Sequence, residues 1–192
     1  MPRAGLSAGA VVDVALAVVD ADGAAGLTLS AVASRAGVAT PSLYKHVRNL
    51  AELRGLLTAR VLDELADRVT DAVLGLSGEE AVRAFMRAYR AYAVEHPDRY
   101  GTMDPQPLRD ERSRPAGERV LGVLLAVLRG FGLEGAEAVH AARAVRSAVH
   151  GFAVLEAAGG FGLPEDLDAS YDVLTGMVAD GLRPAEQGVK GQ

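Results

Sequence analysis

An all-α fold is what this sequence predicts, and three observations carry the expectation. Apolar residues recur at helical spacing through most of the chain, and no stretch alternates apolar and polar in the manner of a half-buried strand. Alanine, valine and leucine dominate a composition that is 49% hydrophobic but only 5% aromatic, and alanine and leucine are strong helix formers. Hydroxyl, glycine and proline residues fall where the helical pattern starts and stops. At 192 residues the chain has room for one ordinary domain, or for a small domain attached to a larger one.

Each element follows from its residues. The set Val11, Val12, Ala15, Leu16, Val18 and Val19 predicts a first helix, with Ser7 as N-cap and Gly23 as its stop. Thr28 caps a second, whose inner face is Leu29, Val32 and Ala33, and Gly37 ends it where left-handed backbone costs least. Thr40-Pro41 opens a third as a hydroxyl cap followed by proline at the first helical position, with Leu43 and Val47 as the inner stripe. A fourth begins near Asn49 and passes Val69, carrying Leu53, Leu56, Leu57, Val61, Leu65 and Val69 on one side. Glu79–Glu95 forms a fifth, stopped by His96-Pro97. The charged run RDERSRP (109–115) reads as a disordered internal segment. Glu118–Phe131, apolar nearly all round, reads as a central buried helix. Long helices follow at 134–158 and 166–181, and the polar tail after Pro184 is expected to fray.

Composition excludes several function classes. No window of about 18 apolar residues lacks charge, so neither a membrane span nor a membrane partner is expected. The start MPRAGLSAG makes a poor signal peptide, and with no cysteine there is neither a disulfide framework nor a thiolate metal site. These features predict a cytoplasmic protein. His140 and His150 lie ten apart on poorly aligned faces, so no metal is expected. The chain lacks a P-loop, H-E-x-x-H, G-x-S-x-G and G-x-G-x-x-G. GGFG at 159–162 follows a helix instead of a strand, and the adjacent acids Asp63-Glu64 and Glu79-Glu80 point to different sides of their helices. Neither an enzyme nor a cofactor is expected.

Charge is uneven along the chain. The formal total is −5, yet the first 60 residues hold six basic and four acidic groups. A modestly basic head precedes an acidic body. In that head, LTLSAVASRAGVATPSLYKHV (27–47) joins a short helix, a glycine turn and a second short helix, which is the helix-turn-helix arrangement. Helical periodicity accounts for Leu43 and Val47 but not for Thr40, Pro41, Ser42, Tyr44, Lys45 and His46. Those side chains suit DNA: hydroxyls and a cation outward, an apolar contact from Pro41, and Tyr44 and His46 within reach of backbone oxygens.

Extended to LTLSAVASRAGVATPSLYKHVRNLAELRGLL, the stretch strongly resembles the signature of tetracycline-repressor-like (TetR family) transcriptional regulators. The resemblance covers roughly residues 7–57. It implies a three-helix DNA-binding head over residues 1–50, a helical ligand-binding and dimerisation body over 51–192, and a homodimer built from the last two helices. It also implies that Thr28 is a phosphate-contacting cap and that Thr40, Pro41, Ser42, Tyr44, Lys45 and His46 occupy recognition-helix positions. Leu50 stands where many relatives carry a lysine, which leaves Arg48 as the substitute phosphate contact. Ser30 is small where some relatives read a base with arginine, so specificity leans on the recognition helix.

The body resembles the family less. Phe85, Met86, Tyr89, Tyr92, Tyr100, Met103, Phe131, His150 and Phe152 are the candidate lining of a cavity for a small, mostly apolar effector. The stripe Val145, Val149, Phe152, Leu167, Tyr171, Leu174 and Val178 is expected to meet a second copy. The function expected is a ligand-responsive repressor of a palindromic double-stranded DNA operator. The competing reading is an all-α small-molecule-binding protein or enzyme with a vestigial helix-turn-helix.

Overall fold

The computed structural model describes residues 6–183, and all regular structure among them is helical. The polar tail after Pro184 lies outside the described residues. Helix α1 spans Ala8–Asp22, with the Ser7 hydroxyl accepting from the Ala10 N–H at 3.1 Å and Gly23 ending it at φ +72°. Its six expected core residues are all buried. Helix α2, Leu29–Arg35, is capped by Thr28, whose hydroxyl accepts from the Ala31 N–H at 3.1 Å. Leu29 is only half-buried here, and Leu27, just before the cap, is buried in its place. Leu27 and Val32 thus occupy the two positions of a hydrophobic staple, which fixes how the chain enters the helix.

Helix α3 is a single turn, Thr40–Leu43, followed by hydrogen-bonded turns through His46. Thr40 is its first helical residue and not its cap; Ala39 holds the cap position without a side-chain bond. Helix α4 runs from Leu50 to Val73. The Asn49 side-chain oxygen accepts from the Glu52 N–H at 2.8 Å, satisfying one of the helix's open donors. Helix α5 is Gly78–Glu95 and α6 is the short Pro97–Gly101.

Two expectations fail between α6 and the next helix. The run 109–115 is ordered: the Ser113 hydroxyl, 1% exposed, donates to the Pro107 carbonyl at 2.8 Å, and Arg114 N–H donates to the Asp110 carbonyl. Charge alone suggested disorder, but paired charges and turn bonds hold it. Helix α7 begins at Arg114 and ends at Arg129, and only one side of it is buried, through Ala116, Leu124, Val127 and Leu128. Gly122 and Ala126 are exposed, so small residues gave the sequence an all-round apolar look without the bulk of a core. Helices α8, Gly135–Ala157, and α9, Leu167–Gly181, match their expected places.

The contacts group the chain into two compact units. The first holds the described residues through Ala66 together with Glu95–Val120; the second holds Asp67–Val94 and the described residues from Leu121. In the first, α1 packs on α2 and α6, and α2 packs on α3. Arg99 of α6 donates to both carboxylate oxygens of Asp20 at 2.6 Å and to Glu64 at 3.2 Å, fastening α6 to α1 and α4. In the second, α8 packs on α9. No helix among the described residues is long and apolar enough to cross a membrane.

Candidate nucleic-acid interface

The interface is built outward from two anchors. Leu43 is 0% exposed and Val47 1%, and they clamp the α3 turn onto the first unit. Upstream, Gly37 at φ +67° closes α2: its N–H donates to the Ser34 carbonyl, and the Val38 N–H donates back to Ala33 at 3.0 Å. This paired closure aims α3 away from α2 in a fixed direction. With Leu43 and Val47 turned in, the residues between and before them turn out. Pro41 and Lys45 are exposed and Tyr44 is 55% exposed, while Thr40, Ser42 and His46 are half-buried. Lys45 makes no ion pair among the described residues. An exposed phenol beside an unpaired ammonium and an exposed pyrrolidine ring gives a surface that can donate, stack and contact a methyl group.

Thr28 is exposed at the start of α2, with its hydroxyl engaged by Ala31. Arg48 is exposed but not free. Its Nε and Nη2 donate to the two Glu52 oxygens at 3.1 and 3.3 Å, and its own N–H donates to Glu52 at 2.6 Å. Arg112 donates to the same carboxylate at 3.4 Å. Hydrogen bonds from Arg48 hold the Glu52 carboxyl well below its usual range, at about 2. Leu50 sits half-buried at the first helical position of α4.

The candidate effector residues divide between the units. Phe85, Met86, Tyr89 and Tyr92 are buried along one face of α5, with Phe85 and Tyr89 ring centroids 6.1 Å apart. Phe152 is half-buried on α8 and Phe131 half-buried just after α7, in the same unit. Tyr100 and Met103 belong to the first unit. His150 is exposed on α8, one residue past buried Val149 and so turned about 100° from that buried stripe. Partial desolvation, then the charge of Arg146, hold its pKa below the ordinary histidine value.

Sequence reasoning missed the busiest cluster of the second unit. Arg90 donates to both oxygens of Glu156 at 2.6 and 2.7 Å and to Asp168 at 2.7 Å, and it lies over the rings of Tyr171 and Phe152. The Tyr171 hydroxyl donates to the Met86 carbonyl at 2.7 Å. Burial raises the Tyr171 pKa, so the phenol keeps its proton. The signal was present: Arg83, Arg87 and Arg90 recur at i, i+4 and i+7 on α5. They meet Thr175, Asp172 and Asp168 on α9 in reverse order, at 3.0, 2.7 and 2.7 Å. No group of His, Cys, Asp and Glu among the described residues can hold a metal ion.

Comparison with known proteins agrees with this architecture. Residues 11–54 match the family of bacterial regulatory proteins called tetR, and residues 82–178 match the tetracyclin repressor-like C-terminal domain. An uncharacterized HTH-type transcriptional regulator of Mycobacterium tuberculosis, Rv0681, is 36% identical over 90% of this chain and 78% of its own length. Among solved structures, a TetR variant from Acinetobacter baumannii AYE in complex with minocycline superposes with a TM-score of 0.74. It is 22% identical and covers 94% of this chain and all of its own. BioQ with its natural double-stranded DNA operator gives 0.67 at 24% identity, over 91% of this chain and 99% of that one.

Proposed function

The chain belongs to the TetR family of bacterial DNA-binding transcriptional regulators, and from that premise we propose that it is a homodimeric repressor released from a near-palindromic operator by a small, mostly apolar molecule. Residues 1–50 serve as the DNA head and 51–192 as the effector-binding and dimerising body. One observation carries the DNA half of this reading: Pro41, Tyr44 and Lys45 stand exposed between residues anchored as firmly as Leu43 and Val47. Lys45, Thr40 and Thr28 contact phosphates, with Tyr44 and His46 reaching backbone oxygens, and Pro41 and Ser42 meet base edges. Arg48 reaches a phosphate by leaving Glu52.

Two further features support the rest. The aromatic face of α5, with Phe131 and Phe152, offers apolar bodies with a few polar tips to an effector, and the TetR variant named above is itself a complex with a small molecule, minocycline. The outer faces of α8 and α9 expose Val139, Val154, Val173 and Met177, which a partner copy covers. Of the expected stripe, Val145, Val149 and Tyr171 are buried within the single chain while Phe152, Leu167, Leu174 and Val178 are half-buried, which favours the exposed residues as the proposed dimer face. Switching a population from 99:1 to 1:99 takes a differential affinity of about 5.5 kcal/mol, within reach of a buried apolar ligand.

The test is to recover duplexes retained by the full-length protein from a random DNA library and measure their affinity against salt. A palindromic consensus with steep salt dependence is expected. Recovery of no shared sequence would reject the operator reading.

A further inference from the structure

The segment 104–114 runs alongside α4 toward its first turn, and its fit there is specific. The Asp104 N–H donates to Thr58 at 3.0 Å, and Gly55 leaves space for Asp110 and Arg112 to lie against the helix. A Cβ at Gly55 would sit 2.6 Å from an Asp110 carboxylate oxygen and 3.4 Å from Arg112 Cδ. Arg112 then reaches Glu52 at 3.4 Å, on the carboxylate that also holds Arg48. The segment therefore ends beside the first turn of α4, next to the recognition turn.

It is also rigid. Asp110 accepts from the Arg112 N–H at 2.9 Å and from its guanidinium at 3.2 Å, the Arg114 guanidinium donates to the Leu108 carbonyl at 3.0 Å, and Ser113 is tied to Pro107. Arg109 is exposed and its guanidinium has no partner among the described residues. Residues 45–54 and 109–114 together carry Lys45, Arg48, Arg54, Arg109, Arg112 and Arg114 against Glu52, Asp110 and Glu111, a basic excess in a chain of net charge −5. A preordered loop with a free guanidinium loses little entropy on contacting a phosphate.

We propose that residues 109–114 form a second phosphate-binding element in the first unit, with Arg109 and Arg112 contacting the DNA backbone beside the stretch that α3 reads. The inference rests on the DNA-binding reading of the head but adds an element outside the helix-turn-helix. Glu52 is the shared rest position of Arg48 and Arg112; on DNA each guanidinium exchanges it for a phosphate.

The experiment uses the full chain and a random-sequence duplex of about 30 base pairs, long enough for roughly three helical turns. Fluorescence anisotropy over a salt series gives the slope of log K against log salt. Arg109→Gln should lower that slope by roughly one unit, and the Arg109→Gln/Arg112→Gln pair by roughly two. Arg109→Lys should restore it. Lys45→Ala serves as the control for the head itself. An unchanged slope in both arginine variants, with Lys45→Ala still lowering it, overturns the proposal and leaves the head reading intact. Unchanged slopes in all three overturn both. Should Arg112→Gln loosen the loop, seen as a lower melting temperature, the exposed Arg109→Gln decides alone.

Discussion

Lys45 and Glu52 lie seven residues apart and illustrate two opposite uses of charge. Lys45 is exposed and has no ion pair among the described residues, so its charge remains available to a phosphate; Glu52 is committed to Arg48 and Arg112. Lys45→Ala should lower the salt slope of DNA binding by roughly one unit with an unchanged melting temperature. Tyr44→Phe should weaken binding more mildly, because only its hydroxyl is lost. An affinity titration that finds both variants equal to the parent would mean that another surface reads the DNA. Glu52 makes a pH prediction. Its pKa is depressed from 4.5 to about 2, so its contribution to stability is fully present above about 4.5 and is lost as the pH falls toward 2. Melting temperatures followed from pH 5 to pH 2 (both approximate limits) should therefore fall less steeply in Glu52→Gln. Parallel curves for the two proteins would remove Glu52 from the account.

At the scale of elements, the head depends on its caps and the body on its ion-pair ladder. Helix α2 has only seven residues, too few to persist by propensity, so Thr28 and the Gly37 closure carry much of its definition. Thr28→Ala should cost about 1 kcal/mol. Gly37→Ala should cost at least as much, because a Cβ strains the left-handed backbone even though nothing lies within 4 Å of it. Equal stability of Gly37→Ala and the parent in urea would show that the turn tolerates another conformation. On the other unit, Arg90 links α5 to α8 and α9 with only 14% of its side chain exposed. Its removal strands Glu156, also mostly buried, so Arg90→Ala should destabilise by on the order of 2–3 kcal/mol in the same assay. A loss below about 0.5 kcal/mol would class the cluster with ordinary surface pairs.

For the whole molecule, the proposed repressor requires two heads set one or more turns of DNA apart, about 34–36 Å for the nearest pair of major grooves. That requirement makes dimerisation inseparable from function. Met177 is 68% exposed on α9, and Val173 on the same helix is also exposed. Met177→Asp should convert the proposed dimer into a 19.9 kDa species and abolish tight operator binding, while Val149→Ala, altering a residue buried within the chain, should lower stability without dissociation. Sedimentation velocity separates the two outcomes. A parent protein that sediments only as the single chain at micromolar concentration would reject the dimer.

The sequence by itself determined the all-α class, the caps Ser7 and Thr28, the stops at Gly23 and Gly37, and the inward turn of Leu43 and Val47. All of these are decided within one or two helical turns, where backbone geometry and residue type suffice. Local pattern could not decide which apolar stripe of α8 and α9 is used inside the chain, since two stripes satisfy the same periodicity and only packing against other helices chooses between them. Nor could it tell that RDERSRP would be held in place. Its order comes from Asp110, Ser113 and the shared Glu52 carboxylate some 60 residues earlier in the chain. The same applies to Arg48, implied by the resemblance as a substitute phosphate contact and paired with Glu52 in the structure. Local chemistry sets what a residue can do; long-range partners set what it is free to do, because an ion pair forms wherever the fold brings two charges together.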